Sequence, residues 1–266
     1  MTNPIYILSK GRPEKCPTTE LFPHATLVLE KEDVPKYEAA GVKNKIEVLP
    51  ESNGGITVVR NWIIERAQSL GQKHIWMADD DINFLGHAGP PIKKDDPIAI
   101  LEDAERAFNY RSRVAQIGFE YVQIWYNHNQ VQINKAIQVI SGFDTELFGK
   151  SRYVKGLDLK EDQDITLQLL SKGCNTVRVG HYVQSCPSIG MNKGGLHDTY
   201  QNREWLLDVC KKMERRWLGT CKAFMSKKRG GMPEVKIKWR EFGSKSISVE
   251  EYEKALESNA NQEVPT

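Results

Sequence analysis

The sequence predicts an α/β fold, a mixed but mostly parallel sheet flanked by helices. Three observations predict it. Short apolar runs of strand length alternate with stretches of helical periodicity, the pattern of βαβ units. The 266 residues are 39% hydrophobic and 27% charged, which suits one substantial folded domain with an appendage and argues against a disordered chain. The apolar run Ile75 to Ala78 stops at three successive aspartates, Asp79, Asp80 and Asp81. Carboxylates placed there sit at the sheet edge where α/β folds bind ligands.

The elements follow in order. Ile5 to Leu8 is a short strand that runs into a Ser-Lys-Gly-Arg-Pro turn punctuated by Gly11 and Pro13. "ATLVLE" and "KIEVLP" are two further apolar runs, and "EDVPKYEAAG" between them reads as a helix stopped by Gly41. Asn53, Gly54 and Gly55 form a loop. Ile56 to Leu70 has helical spacing, with Val59, Ile63, Ala67 and Leu70 on one face and Gly71 as the stop. Beyond the aspartates, residues 87–97 form a Gly-, Pro- and Lys-rich loop, and a helix starts near Pro97. "VAQIGFEY" comes next, and a strand is expected at Ala136 to Ile140. "LKEDQDITLQLLSKGC" is an acidic turn entering a helix, its carboxylates at the favourable end of the helix dipole. "NTVRVGHYVQ" is a strand and "PSIGMNKGGLHDTY" a Gly-rich loop. "NREWLLDVCKKMERRW" is an amphipathic helix. A basic linker, the strand candidate "EVKIKW" and an acidic helix "SVEEYEKALES" end the chain. The expected division is a domain over residues 1–200 and a largely helical extension over 201–266.

Net charge is only +2, but it is unevenly spread. Residues 201–240 carry twelve Lys/Arg against four Asp/Glu, and residues 241–266 two against six. Five cysteines, with no C-x-x-C pair, speak against a zinc site or a disulfide framework and for a reducing compartment. No apolar run has the length of a signal peptide or of a membrane span. A cytoplasmic protein is expected.

Four constellations carry chemistry. Alternating side-chain direction places Asp79 and Asp81 on one side, as hard oxygen ligands suited to Mg²⁺ or Mn²⁺. Glu161, Asp162 and Asp164 cluster at a helix start and suit acid–base work opposite such a metal. Gly54-Gly55 followed by Arg60-Asn61 places a helix N-terminus where a phosphate can meet it. Lys193, Gly194, Gly195 and His197 lie in a polar loop, the lysine suited to a diphosphate and the histidine to a metal. The G-K-[ST] ending of a P-loop, the G-x-G-x-x-G fingerprint and the G-x-S-x-G elbow are all missing, which removes those ATPase, dinucleotide and serine-hydrolase classes.

Taken together, "S-x-G-R-P", "GG…RN", "ADDD", "ED-x-D" and a late His resemble the GT-A type, Rossmann-like fold of nucleotide-sugar glycosyltransferases. Within it, the opening "ILSKGRP" and the layout over roughly residues 5–200 are most similar to phage glycosyltransferases associated with TET/JBP-type base hydroxylases. The resemblance implies a soluble, metal-dependent transferase, moving a sugar from a nucleotide-sugar, expected to be a UDP-sugar, onto a 5-hydroxymethylpyrimidine in phage DNA with inversion. It implies that Ser9, Gly11 and Arg12 line the nucleobase and phosphate pocket and that Arg60 and Asn61 hold the nucleotide. Asp79 is implied at the ribose or the metal, Asp81 and His197 as metal ligands, and Lys193 on a loop closing over the donor. Asp162 is implied as catalytic base, with Glu161 and Asp164 as rivals. The motif is D-D-D rather than D-x-D, which leaves Asp80 open between metal and sugar contacts. Lys211, Lys212, Arg215, Arg216, Lys227, Lys228 and Arg229 are candidates for a DNA backbone, and Trp125, Tyr126 or Trp217 for stacking on a base. The rival readings are a glycosyltransferase with a glycan or small-molecule acceptor, a nucleotidyltransferase, and a non-enzymatic DNA-binding protein.

Overall fold

A computed structural model describes residues 2–88, 93–124, 128–187 and 202–262. Its centre is an eleven-stranded sheet. Four parallel strands form one half: β1 (Ile5–Leu8), β2 (Thr26–Leu29), β3 (Lys45–Val48) and β4 (His74–Asp79). They lie in the order β3-β2-β1-β4. The other half holds β5 (Phe84–His87), β6 (Lys93–Lys94), β7 (Val114–Tyr121), β8 (Gln130–Ile133), β9 (Ile140–Asp144) and β10 (Asn175–Ser185). Strand β9 runs antiparallel between β4 and β7, and β7 pairs in parallel with β10. Strands β5, β8 and β9 oppose the common direction, so the sheet is mixed and mostly parallel, as expected.

The central strands are apolar on both faces because helices cover both faces. Ile5, Ile7, Leu27, Leu29, Trp76 and Ala78 feed one core, and the alternate residues Tyr6, Leu8, Val28, Ile75 and Met77 feed the other. The second core is closed by α3 (Ile56–Ser69), α5 (Thr145–Phe148) and α6 (Glu161–Ser171), through Ile63, Ile64, Ala67, Phe148, Ile165 and Leu169. The first is closed by the short helices α1 (Thr18–Leu21) and α2 (Val34–Ala39), and by α4 (Pro97–Glu105).

Two expectations need correction. The strand expected at Ala136–Ile140 begins only at Ile140. Val139 has φ 69°, a left-handed conformation that a β-branched residue adopts only under constraint, and it ends the extended run there. The segment after residue 200, expected as largely helical with one strand candidate, holds two further strands. It comprises α7 (Arg203–Arg216), a hairpin of β11 (Cys221–Ser226) and β12 (Met232–Ile237), strand β13 (Lys245–Ser248) and α8 (Val249–Gln262). Strand β13 pairs with β8 at the edge of the main sheet, and α8 buries Tyr252 and Leu256 in the first core. The acidic helix has an apolar stripe, and the stripe decides where it packs. Among the described residues, no helix is long and apolar enough to cross a membrane.

Candidate active site

Three elements converge at the end of β4. The Asp triplet follows the strand, and burial alternates along it: Asp79 and Asp81 are partly exposed, and Asp80 between them is buried. Thr18 pins the turn. Its hydroxyl donates to the Asp79 carbonyl (2.8 Å) and accepts from the Ile82 amide (2.9 Å).

Asp80 serves the first loop. It accepts from the Ser9 hydroxyl and pairs with Arg12 (2.6 Å), and Arg12 also lies 3.6 Å from Asp81. Burial raises the Asp80 carboxyl to about 6, against the lowering effect of Arg12 and Ser9. Ser9 and the Tyr37 hydroxyl share a 2.5 Å hydrogen bond, and Tyr37 also accepts from the Arg12 amide (3.1 Å). Gly11, at φ 65°, donates its amide to Asp33 (2.8 Å). A left-handed residue is needed here for the chain to turn back on itself, which explains the glycine. Both carboxylate oxygens of Asp80 are thus engaged within the protein, by Ser9 and Arg12.

The centre of the site is Arg60. It rises from α3 and is 3% exposed. Its guanidinium contacts Asp79 (3.0 Å), Asp162 and Glu161 (3.8 Å), and it lies 5.5 Å from the centre of the Tyr153 ring. One buried cation thus faces three carboxylates from the end of β4 and the start of α6. Burial raises all three, with Asp79 reaching about 7, while Arg60 pulls them down. Glu161 Oε2 is buried with no hydrogen-bond partner among the described residues. Such a cluster is short of positive charge.

The remaining expected residues divide. Asn61 is engaged by the loop before α6. Its side-chain amide exchanges two 2.8 Å hydrogen bonds with the Tyr153 backbone, holding the loop before α6. Asp164, the fourth residue of α6, accepts from Arg216 (2.7 Å), Trp217 Nε1 (2.7 Å) and Gln168 (2.7 Å). Arg216 and Trp217 are thereby both held by Asp164, with Arg216 still exposed. Lys212 pairs with Asp208 at 2.8 Å, and Arg215 lies 3.8 Å from the same residue. Lys211, Lys227 and Lys228 are exposed. Lys193, His197, Trp125, Tyr126 and the Arg229 side chain lie outside the described residues.

Several contributors were missed. Thr18, Tyr37, Asp33 and Tyr153 hold the loops, and none belongs to a motif. The only signal for Asp33 was the acidic run "EKED" after β2. Tyr121 and Cys186 stand close to the carboxylates. Burial raises both, aided at Tyr121 by Asp162 and Asp79, and at Cys186, which reaches about 12, by Asp81 and Asp79.

Residues 3–195 match the TET-associated glycosyltransferase family. The chain belongs to that family. The Asp triplet, the Ser9–Arg12 loop and the Arg60 cluster all fall inside the matched segment. Among curated proteins no sequence match is found. Solved structures similar to this TET-associated glycosyltransferase include Staphylococcus aureus TarS 1-349, with 15% identity, 80% of this chain and 66% of that chain covered, and a TM-score of 0.48. Another is the same TarS segment in complex with UDP, at 12% identity, the same coverage and a TM-score of 0.46. A third is mannose-1-phosphate geranyltransferase from Thermus thermophilus, at 10% identity, 79% coverage of each chain and a TM-score of 0.41. The chain spans just under two thirds of the TarS segment.

Among the described residues, no group of three His, Cys, Asp or Glu gathers as a metal site. A divalent metal still fits the donor set. Asp79 and Asp81 offer hard oxygens on one side of a charge-deficient cluster, and Mg²⁺ commonly takes one or two carboxylates together with substrate phosphates.

Proposed function

We propose that this glycosyltransferase moves a sugar from a nucleotide-sugar, a UDP-sugar by preference, onto the hydroxyl of a 5-hydroxymethylpyrimidine in DNA, with inversion. The observation that carries this reading is the Arg60 cluster. One buried guanidinium joins Asp79, at the donor end of β4, to Asp162 and Glu161, at the start of α6. Donor and acceptor chemistry need to be held at one fixed separation, and a shared buried cation does that.

In this reading the Ser9–Arg12 loop cradles the nucleotide, and Arg12 faces the diphosphate from beside Asp81. Asp79 and Asp81, with His197, would hold a divalent Mn²⁺ or Mg²⁺, which when bound offsets charge on the leaving diphosphate. Asp162 removes the proton from the attacking hydroxyl. Its other neighbour, Glu161, is the most enclosed carboxyl of the three and stays protonated, which limits repulsion beside the base. A single base opposite the leaving group gives inversion. Lys193, which lies outside the described residues, is the candidate to neutralise the diphosphate.

The test is release of nucleoside diphosphate from a panel of nucleotide-sugars with Mn²⁺. The account expects release to accelerate with DNA containing 5-hydroxymethylcytosine or 5-hydroxymethyluracil, and not with unmodified DNA. Acceleration only by a glycan or small alcohol would move the acceptor out of DNA and leave the transferase reading in place.

A further inference from the structure

The hairpin of β11 and β12 has two unlike faces. Its inner face sets Cys221 opposite Ile237 and Ala223 opposite Val235, and Cys221, Val235 and Ile237 pack with Leu167, Met213 and Trp217. Its outer face sets Lys222 directly opposite Lys236, and Phe224 opposite Glu234. Like charges opposed across an antiparallel pair are destabilising unless an anion answers them. Lys222 reaches Glu214 (2.7 Å), while Lys236 at its side is in no ion pair among the described residues. At the far end of the ribbon Lys227 and Lys228 are exposed. Apolar exposure gathers here too. Of the five large hydrophobic side chains exposed among the described residues, Leu218 (79%), Phe224 (41%) and Met225 (51%) fall within eight positions.

The hairpin is also tied to the catalytic cluster. Asp164 lies in the same turn of α6 as Glu161 and Asp162, and it holds Arg216 and Trp217. The Trp217 carbonyl then accepts from the Cys221 amide (2.8 Å), where β11 begins. Hydrogen bonds therefore run from Asp164, on the helix that carries the proposed base, to the root of the ribbon.

We infer that the outer face of this hairpin, through Lys236, Lys227, Lys228 and Phe224, is the surface that grips the phosphodiester backbone of the DNA acceptor. The inference rests on the DNA reading above and places the grip on the ribbon, next to α7, whose Lys212, Arg215 and Arg216 are exposed but also pair within the protein. A two-stranded ribbon has the width to enter a major groove, and an exposed aromatic beside cations suits stacking on an unpaired base. An anionic membrane surface would also attract cations, but three apolar side chains make little insertion area. The hydrogen-bonded connection to α6, the helix that carries the proposed catalytic base, favours the molecule that brings the acceptor hydroxyl.

The test uses the full chain and a duplex oligonucleotide carrying 5-hydroxymethylcytosine. Binding is read by fluorescence anisotropy across a salt series. The variant Lys227→Glu/Lys228→Glu/Lys236→Glu is compared with a charge-matched control, Lys31→Glu/Lys43→Glu/Lys150→Glu. The expected result is an affinity loss of at least about tenfold, and a salt slope shallower by about 2–3, in the hairpin variant only. Phe224→Ala is expected to raise KM for DNA while donor hydrolysis stays unchanged. Equal behaviour of the two triple variants overturns the inference. So does loss of binding to phosphatidylglycerol vesicles with DNA binding intact. If the wild type transfers sugar to DNA and the hairpin variant does so with the same KM, the hairpin assignment alone fails. If the wild type neither binds nor modifies DNA, the acceptor reading fails with it.

Discussion

Arg60 and Asp79 meet at 3.0 Å, guanidinium to carboxylate, with Arg60 almost fully buried and Asp79 about a quarter exposed. The pair joins α3 to the end of β4, and the other arm of the same guanidinium reaches Asp162 on α6. Its fork geometry is what allows one side chain to serve two strand-and-helix ends at once.

Arg60→Lys should therefore not be conservative. An ammonium is a point charge and leaves at least one of Asp79, Glu161 and Asp162 without a partner. We expect a loss in kcat of at least roughly tenfold and destabilisation of about 1–3 kcal/mol, read by steady-state transfer and urea unfolding. Kinetics and stability both within error of wild type would remove Arg60 from the centre of the site.

The two aspartates of "EDQD" should separate cleanly. Asp162→Asn is expected to lower kcat roughly 10²–10⁴-fold with little change in donor binding. Asp164→Asn weakens the Arg216 and Trp217 contacts, so it should cost about 1–3 kcal/mol of stability and leave kcat within a few-fold. Paired kinetic and thermal-unfolding measurements on the two variants decide it. The reverse pattern would make Asp164 the base.

Glu161 predicts a pH dependence. Burial first, and the neighbouring Asp162 second, raise its carboxyl well above the ordinary carboxylate range, against the pull of Arg60. In the unfolded chain it ionises near pH ~4.3. Between that value and its raised folded value the unfolded chain binds fewer protons, so stability falls as pH rises. Glu161→Gln removes this contribution. Urea midpoints measured from pH 5 to pH 8 in a chelator should decline less in the variant than in the wild type. Parallel curves would show that Glu161 is ionised throughout.

Asp81 should govern metal use. With Asp80 committed to Ser9 and Arg12, Asp81→Asn is expected to raise the Mn²⁺ concentration for half-maximal rate by about 10–100-fold. Full activity of the wild type in EDTA would contradict metal dependence altogether.

The alternation of apolar runs and helices was legible because each central strand feeds two cores. That leaves Ile5–Leu8 and Ile75–Ala78 continuously apolar in the sequence. The Asp triplet was legible because a strand ended in charge. The commitment of Asp80 was not, since it depends on Ser9 and Arg12 arriving from seventy residues away in sequence. The bonding of Asp164 to Arg216 and Trp217 was not legible either, because spacing along α6 gives a charge its place but not its partner. The ending of the chain was misread because β13 is short and mostly polar. Its pairing with β8 is set by backbone hydrogen bonds rather than by an apolar pattern.

The most direct measurement is the mass of nucleosides digested from 5-hydroxymethylpyrimidine DNA after incubation with the wild type, Mn²⁺ and UDP-sugars, beside Asp162→Asn. The account predicts a hydroxymethylpyrimidine nucleoside heavier by one pentose or hexose residue, formed by the wild type and nearly absent with Asp162→Asn. Unchanged nucleosides alongside wild-type donor turnover onto another acceptor would contradict it.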